Sequence, residues 1–201
     1  MPRRREKKKK KRGKRGAGGA GTNRLLAKVA AGVREHVGVK LGITNTLVDN
    51  FCRMVCSSDF KGVFSADCIP HNLAAISRFI IVINLGTRKG VRGKLPVGHF
   101  VTLVASPTSL IYIDPFGLPN MQPDINIFLQ LCKRKNVYVN LRQIQHFNSV
   151  YCGFYAILFA CYFDKQYHSK KKLFSLHFKN SNLYKNDSLC VEYLRRIKIM
   201  K

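Results

Sequence analysis

Acidic residues are scarce in this chain: ten Asp and Glu stand against 36 Lys and Arg over 201 residues, leaving a net charge of +26. A balance so one-sided excludes indifference to polyanions and implies an anionic partner. Tryptophan is absent. No apolar run approaches the ~20 residues a membrane-spanning helix needs, and the N-terminus lacks the apolar core of a secretory signal, so no membrane partner is expected. The seven cysteines are odd in number and irregularly scattered, with no Cys-x-x-Cys module. That pattern argues against a disulfide scaffold and for an intracellular, reduced protein. Cys52 and Cys56 lie one helical turn apart with His71 not far on, but no second pair matches them, so core packing rather than zinc is expected there. No metal and no cofactor is expected. The glycine-rich basic loop from Gly86 to Lys94 is not a Walker motif and supports no nucleotide site; a mobile substrate or DNA contact and a plain surface loop are equal readings of it. Internal repeats are also lacking.

Much of the positive charge is concentrated. Residues 1–21 form a basic, glycine-rich arm in which Arg3, Arg4, Arg5, Lys7, Lys8, Lys9, Lys10, Lys11, Arg12, Lys14 and Arg15 are interrupted by a single Glu. Such a run repels itself and is expected to stay disordered until it meets phosphates; it also fits a nuclear localisation signal. These residues are the candidate DNA contacts, and binding through them should be steeply salt-dependent.

Against this background one segment carries chemistry. Gln145-His-Phe-Asn-Ser-Val-Tyr-Cys152-Gly153 leads into a block that is apolar on every side up to Phe163, the signature of a buried central helix. Asn148 and Ser149 are suitable N-cap residues for it. A thiol in the first turn of such a helix sits at the positive end of the dipole, which favours thiolate. A lone cysteine in an apolar run would ordinarily be core; the partners of Cys152 decide otherwise.

A nucleophilic cysteine needs a base, a group to orient the base, and donors for an oxyanion. Two β-rich runs, His99 to Ala105 and Leu110 to Asp114, flank a Ser-Pro-Thr-Ser turn and predict an antiparallel hairpin. Pairing Ala105 with Leu110 places His99 opposite Phe116 and diagonal to Asp114, on one face and about 7–8 Å apart at Cα, within reach of a hydrogen bond. Asp114 is the only acid inside an apolar β-like run, and a buried carboxylate needs a partner. Gln145, seven residues before the cysteine, is placed to offer its amide to a tetrahedral intermediate together with the Cys152 backbone amide. Gln143 competes, since a strand over 137–145 would put both glutamines on one face; the spacing to Cys152 prefers Gln145.

The order His99, then Asp114-Pro-Phe-Gly117, then Gln145-x-x-Asn-Ser-x-x-Cys152-Gly resembles the adenovirus-type maturation cysteine protease (adenain), within the group that includes the SUMO-specific isopeptidases. The segment Phe60 to Pro70 and the strand Phe79 to Asn84 look like that group's entry into its catalytic domain, so the resemblance covers roughly residues 58 to 165. It implies His99 as base, Asp114 as its orienter, Gln145 as oxyanion donor and Cys152 as nucleophile. It also implies an α+β, papain-like domain in which a central mixed sheet packs against the helix carrying the nucleophile. Substrates would be viral or mobile-element capsid and core precursors cut at Gly-containing sites in the host nucleus and virion, with DNA and an activating peptide as stimulators. Cys132 lies in the general stretch where that family tethers such a peptide, though not at the equivalent spacing. The chain departs from the family in having Phe100 where Trp usually follows the His, Asp rather than the adenovirus Glu at 114, and 49 residues after Cys152. The rival readings are a SUMO- or ubiquitin-like isopeptidase with the same catalytic layout, and a non-catalytic basic DNA-binding virion protein.

The expected organisation is a basic arm over 1–21, a helical segment over 22–57 with helices at 22–39 and 46–57, and the protease domain over 58–201. Within that domain a helix is expected from Asn126 to about Arg134, a strand over 137–145, and a short amphipathic helix from about Leu189 to Ile197.

Overall fold

The computed structural model describes residues 42–86, 98–165, 178 and 181–199. The basic arm with its candidate DNA contacts, the helix expected over 22–39 and the basic loop beyond Gly86 lie outside the described residues.

Helix α1 (Asn45–Val55) begins where Thr44 turns its hydroxyl onto the Leu47 amide. It leads into β1 (Phe60–Ser65), two 3-10 turns at Ala66–Cys68 and His71–Ala75, and β2 (Phe79–Asn84). The hairpin β3 (Phe100–Ala105) and β4 (Ser109–Ile113) follows, then α2 (Pro123–Leu131), β5 (Asn136–Val139), α3 (Cys152–Lys165) and α4 (Leu183–Ile199). The five strands lie in chain order in one sheet. Only β1/β2 and β4/β5 are parallel, each joined by a helical crossover, so the sheet is mixed. The chain therefore has the expected α+β class, with a central mixed sheet packed against the helix that carries Cys152.

β2 and β3 are buried along their whole length, as strands covered on both faces must be. Alternation along them divides the core in two. Ile80, Val82, Phe100, Val104 and Ile113 face α3, with α1 and α4 packed around that helix. Phe79, Ile81, Val101, Leu103 and Tyr112 face α2 and the 3-10 turns, where Phe79 meets the Phe128 ring edge-on at 6.0 Å. α3 is enclosed from Gly153 to Cys161, which explains its lack of a polar face. Each of its fully buried aromatic or aliphatic side chains contributes ~1.5–3 kcal/mol. Close approach of α3 to the sheet depends on Gly153, where a Cβ would lie 2.0 Å from Ile43 Cγ2 and 3.2 Å from the Phe100 ring.

Several expected boundaries move. α2 runs Pro123–Leu131 rather than 126–134 because Pro123 is suited to the first helical position, where no backbone donor is needed. α4 starts at Leu183, earlier than its apolar stripe suggests, because two of its buried positions are the polar Asn186 and Asp187. The strand expected over 137–145 ends at Val139. Its alternating apolar residues continue to Leu141, but Val137, Tyr138, Val139 and Leu141 are all exposed, and Asn140 turns the chain away. Cys52 and Cys56 pack between α1 and α3, the Cys56 sulfur 3.8 Å from that of Cys161, and among the described residues no cluster is suited to a metal ion. No helix among the described residues is long and apolar enough to cross a membrane.

Candidate active site

The hairpin turn sets the site's register. Ser106 and Ser109 close it through a 2.8 Å backbone bond, and pairing runs outward from Ala105–Leu110 to Thr102–Ile113. Continued past the strand ends, that register brings His99 against Asp114, with Nε2 2.6 Å from Oδ1. The His99 ring also stacks on Phe116, at 4.4 Å between centroids and an interplanar angle of 12°. The carboxylate fixes one ring nitrogen and the stack fixes the ring plane, so the imidazole has little freedom left.

Asp114 is itself held from several sides. It is buried, and Oδ1 also accepts the Phe116 amide at 2.7 Å, an Asx turn across the Pro115 bend. The Asn140 side chain accepts the Asp114 amide and donates to the Asp114 carbonyl, both at 2.7 Å. Gly117 finishes the turn at φ +69°, donating to the Asp114 carbonyl at 2.9 Å. A Cβ there would lie 2.6 Å from the backbone of Arg142 and Gln143. The same turn carries the next stretch of chain, because the Pro115 carbonyl accepts the amides of both Ile144 and Gln145.

Cys152 is the first residue of α3 and is partly exposed. The helix does not start at Asn148 or Ser149 as expected: the Tyr151 carbonyl takes the first helical bonds, from Phe154 and Tyr155. Asn148 and Ser149 are bound instead into a turn on His146, through its Nδ1 and its carbonyl. The Cys152 side chain lies close enough to the His99 ring to raise its pKa, while the buried Nδ1 makes no hydrogen bond among the described residues. Burial pulls the His99 pKa down. The hydrogen bond to Asp114 outweighs that effect with help from the adjacent Cys152 sulfur, and the pKa is raised from 6.5 to about 9. The raised pKa favours the protonated ring at neutral pH, beside the Asp114 carboxyl group and the Cys152 sulfur.

Gln145 is fully buried, and its Nε2 donates to the Ser149 carbonyl at 3.0 Å, which fixes the orientation of the amide. An amide nitrogen carries two protons, so one N–H is left for another acceptor. Gln143 does not point alongside it; its Nε2 caps the Gln145 carbonyl at 2.9 Å. The structure thus brings His99, Asp114, Gln145 and Cys152 into one region at the head of α3, while the eleven basic arm residues are outside the described residues.

No protein-family model matches the chain, and no curated protein does. Among solved structures the chain is similar to AvrA delL154 with IP6 and CoA, at 12% identity and a TM-score of 0.42, over 83% of this chain and 65% of that one. The chain thus spans less than two thirds of that protein's length.

Asn140, which brackets Asp114, and the buried polar pair Asn186 and Asp187 give no signal in the sequence. Asn140 sits in a polar-to-apolar alternation, and its role appears only once β4 and β5 pair. Cys132, by contrast, lies in a suggestive stretch of sequence but is buried, its thiol pushed up to about 11 by that burial, which makes it a poor partner for disulfide exchange in this conformation.

Proposed function

We propose that this chain is a cysteine endopeptidase of the adenain type. It would cleave viral or mobile-element capsid and core precursors at Gly-containing sites during particle maturation, with DNA as a stimulator. The observation that carries the reading is the geometry at His99: one ring nitrogen 2.6 Å from a buried carboxylate, with a cysteine from the first turn of a buried helix near enough to raise the ring's pKa. The motif resemblance adds the substrate class, and the basic arm adds the polyanion.

In this mechanism the Cys152 thiolate and His99 imidazolium form the resting pair. The thiolate attacks the scissile carbonyl, and the oxyanion is met by the Cys152 backbone amide and the free N–H of Gln145. His99 then gives its proton to the leaving amine, producing an acyl-thioester. A water, deprotonated by His99, attacks that thioester, the carboxylic acid is released and the sulfur leaves as thiolate, which restores the thiolate–imidazolium pair. Asp114 holds the ring in place throughout.

The test is cleavage of a peptide library by the full chain and by Cys152→Ala, with and without duplex DNA. Cleavage at Gly-containing sites that depends on Cys152 and rises with DNA supports the reading. Turnover that depends on Cys152 but is confined to ubiquitin-like conjugates would favour the isopeptidase reading. Absence of any Cys152-dependent turnover would favour a non-catalytic DNA-binding protein.

A further inference from the structure

α4 buries two polar residues, Asn186 and Asp187, beneath the loop that leads to the nucleophile. Burying a carboxyl is costly unless other groups answer it. Here the answering groups all belong to the loop or to α3. The Tyr155 hydroxyl, one turn after Cys152, lies 3.0 Å from Asp187 Oδ1 and 3.2 Å from the Ile144 carbonyl. Asn186 Nδ2 donates to that same carbonyl at 3.1 Å. Ser149 and the His146 backbone are near enough to the Asp187 carboxyl to oppose, with Tyr155, the rise in its pKa that burial causes, but Ser149 Oγ and Asp187 Oδ2 close no hydrogen bond among the described residues. The hydrogen bonds of Tyr155 and Asn186 fall on the Ile144 carbonyl, with His146 and Ser149 near the carboxyl, and among these residues stands Gln145, whose amide is oriented by the Ser149 carbonyl.

We propose that Asp187, with Asn186, is a positioning residue: from behind the site it holds the 144–149 loop so that the Gln145 amide and the Cys152 backbone amide face one oxyanion. This rests on the cysteine-nucleophile reading above. The physical need is clear from the backbone. Residues 140–151 contain no helix or strand, and ordering each such residue costs ~1–2 kcal/mol in backbone entropy. A displacement of ~1 Å in a group that meets the transition state can cost about 10²-fold in rate. The polar side of α4 supplies anchors that the loop's own turns do not.

Positioning of the oxyanion donors and reactivity of the thiol can be read separately, because alkylation by iodoacetamide needs only the thiolate, whereas acylation by an activated ester passes through an oxyanion. The experiment compares the full chain with Asp187→Ala and Tyr155→Phe by three readouts: iodoacetamide rate at Cys152, acylation rate by a p-nitrophenyl ester, and hydrogen exchange of peptides spanning 141–153 against β2–β3 peptides. The expected result for Asp187→Ala is acylation slowed about 10-fold or more, alkylation within about 2-fold of the parent, and faster exchange confined to 141–153. Tyr155→Phe, which preserves the packing, should show the same pattern more weakly, and it answers the question if Asp187→Ala does not fold. Unchanged loop exchange, or acylation and alkylation falling together with faster exchange everywhere, overturns the proposal. If Cys152 of the parent chain is unreactive to both reagents, the nucleophile reading fails; the exchange contrast then still decides whether α4 holds the loop.

Discussion

Asn140 takes the place of a strand residue opposite Asp114: its Oδ1 accepts the Asp114 amide and its Nδ2 donates to the Asp114 carbonyl, each at 2.7 Å. The β4/β5 ladder has already ended at Tyr112–Val139, so a side-chain amide imitates the next backbone pair and carries sheet order one residue beyond the sheet. That residue is the one against which His99 is set.

Asn140→Ala should therefore act on both stability and chemistry. It leaves the buried Asp114 amide without its acceptor, at a cost of roughly 1–3 kcal/mol, while the Asp114 carbonyl keeps the Gly117 amide. Denaturant unfolding should show the loss, and Cys152-dependent turnover should fall more than the folded fraction does. A variant with full stability and full turnover would remove Asn140 from any role at the site.

The His99–Asp114 contact fixes a pH window. Because the folded pKa of His99 is raised from 6.5 to about 9, its stabilising contribution is fully present below pH 6.5 and is lost as pH rises through about 9. The stability advantage of the parent over Asp114→Asn should accordingly shrink across that range in thermal scans. The descending limb of Cys152-dependent turnover should fall near pH 9 in the parent and at lower pH in Asp114→Asn. Turnover itself should drop about 10²–10⁴-fold, by analogy with replacement of the acid in serine-protease triads. An identical descending limb in both proteins would contradict the assignment.

Gly117→Ala should be one of the more damaging small substitutions. The residue sits at φ +69°, and a Cβ would lie 2.6 Å from backbone atoms of Arg142 and Gln143, which cannot rotate away. The expected destabilisation is about 1–3 kcal/mol, accompanied by a turnover defect because the same turn holds the Gln145 amide through Pro115. Urea midpoints and turnover measured side by side check both parts.

Binding of duplex DNA should weaken steeply with salt, because each neutralised phosphate releases a counterion. Replacing Lys7 to Lys11 with Gln should reduce the slope of log K against log salt by about 0.9 for each phosphate that the arm no longer neutralises. An unchanged slope would place DNA binding elsewhere than on the arm.

The parts of the fold that are legible in the sequence are those fixed by local rules. The Ser106–Ser109 turn sets the hairpin register, and with it the meeting of His99 with Asp114 and its stack on Phe116. The unbroken apolar run after Cys152 reports a helix enclosed on all sides. What escapes is set by distant partners. The alternation at Val137, Val139 and Leu141 imitates a buried strand, yet these side chains are exposed. Asn148 and Ser149 have the chemistry of helix caps, but a turn on His146 takes their backbone amides first. Asn140 and Asp187 act across 26 and 32 residues of chain, a separation at which their residue types alone give no signal.

The central claim is that Cys152 is a nucleophile paired with His99, and the most direct measurement is the alkylation rate of each cysteine against pH by mass spectrometry, with the other six as internal controls. Cys152 alone should react rapidly below pH 7, and His99→Ala should abolish this selectivity. If Cys152 reacts no faster than a surface thiol, with or without DNA, and His99→Ala leaves its profile unchanged, a cysteine-protease site is contradicted.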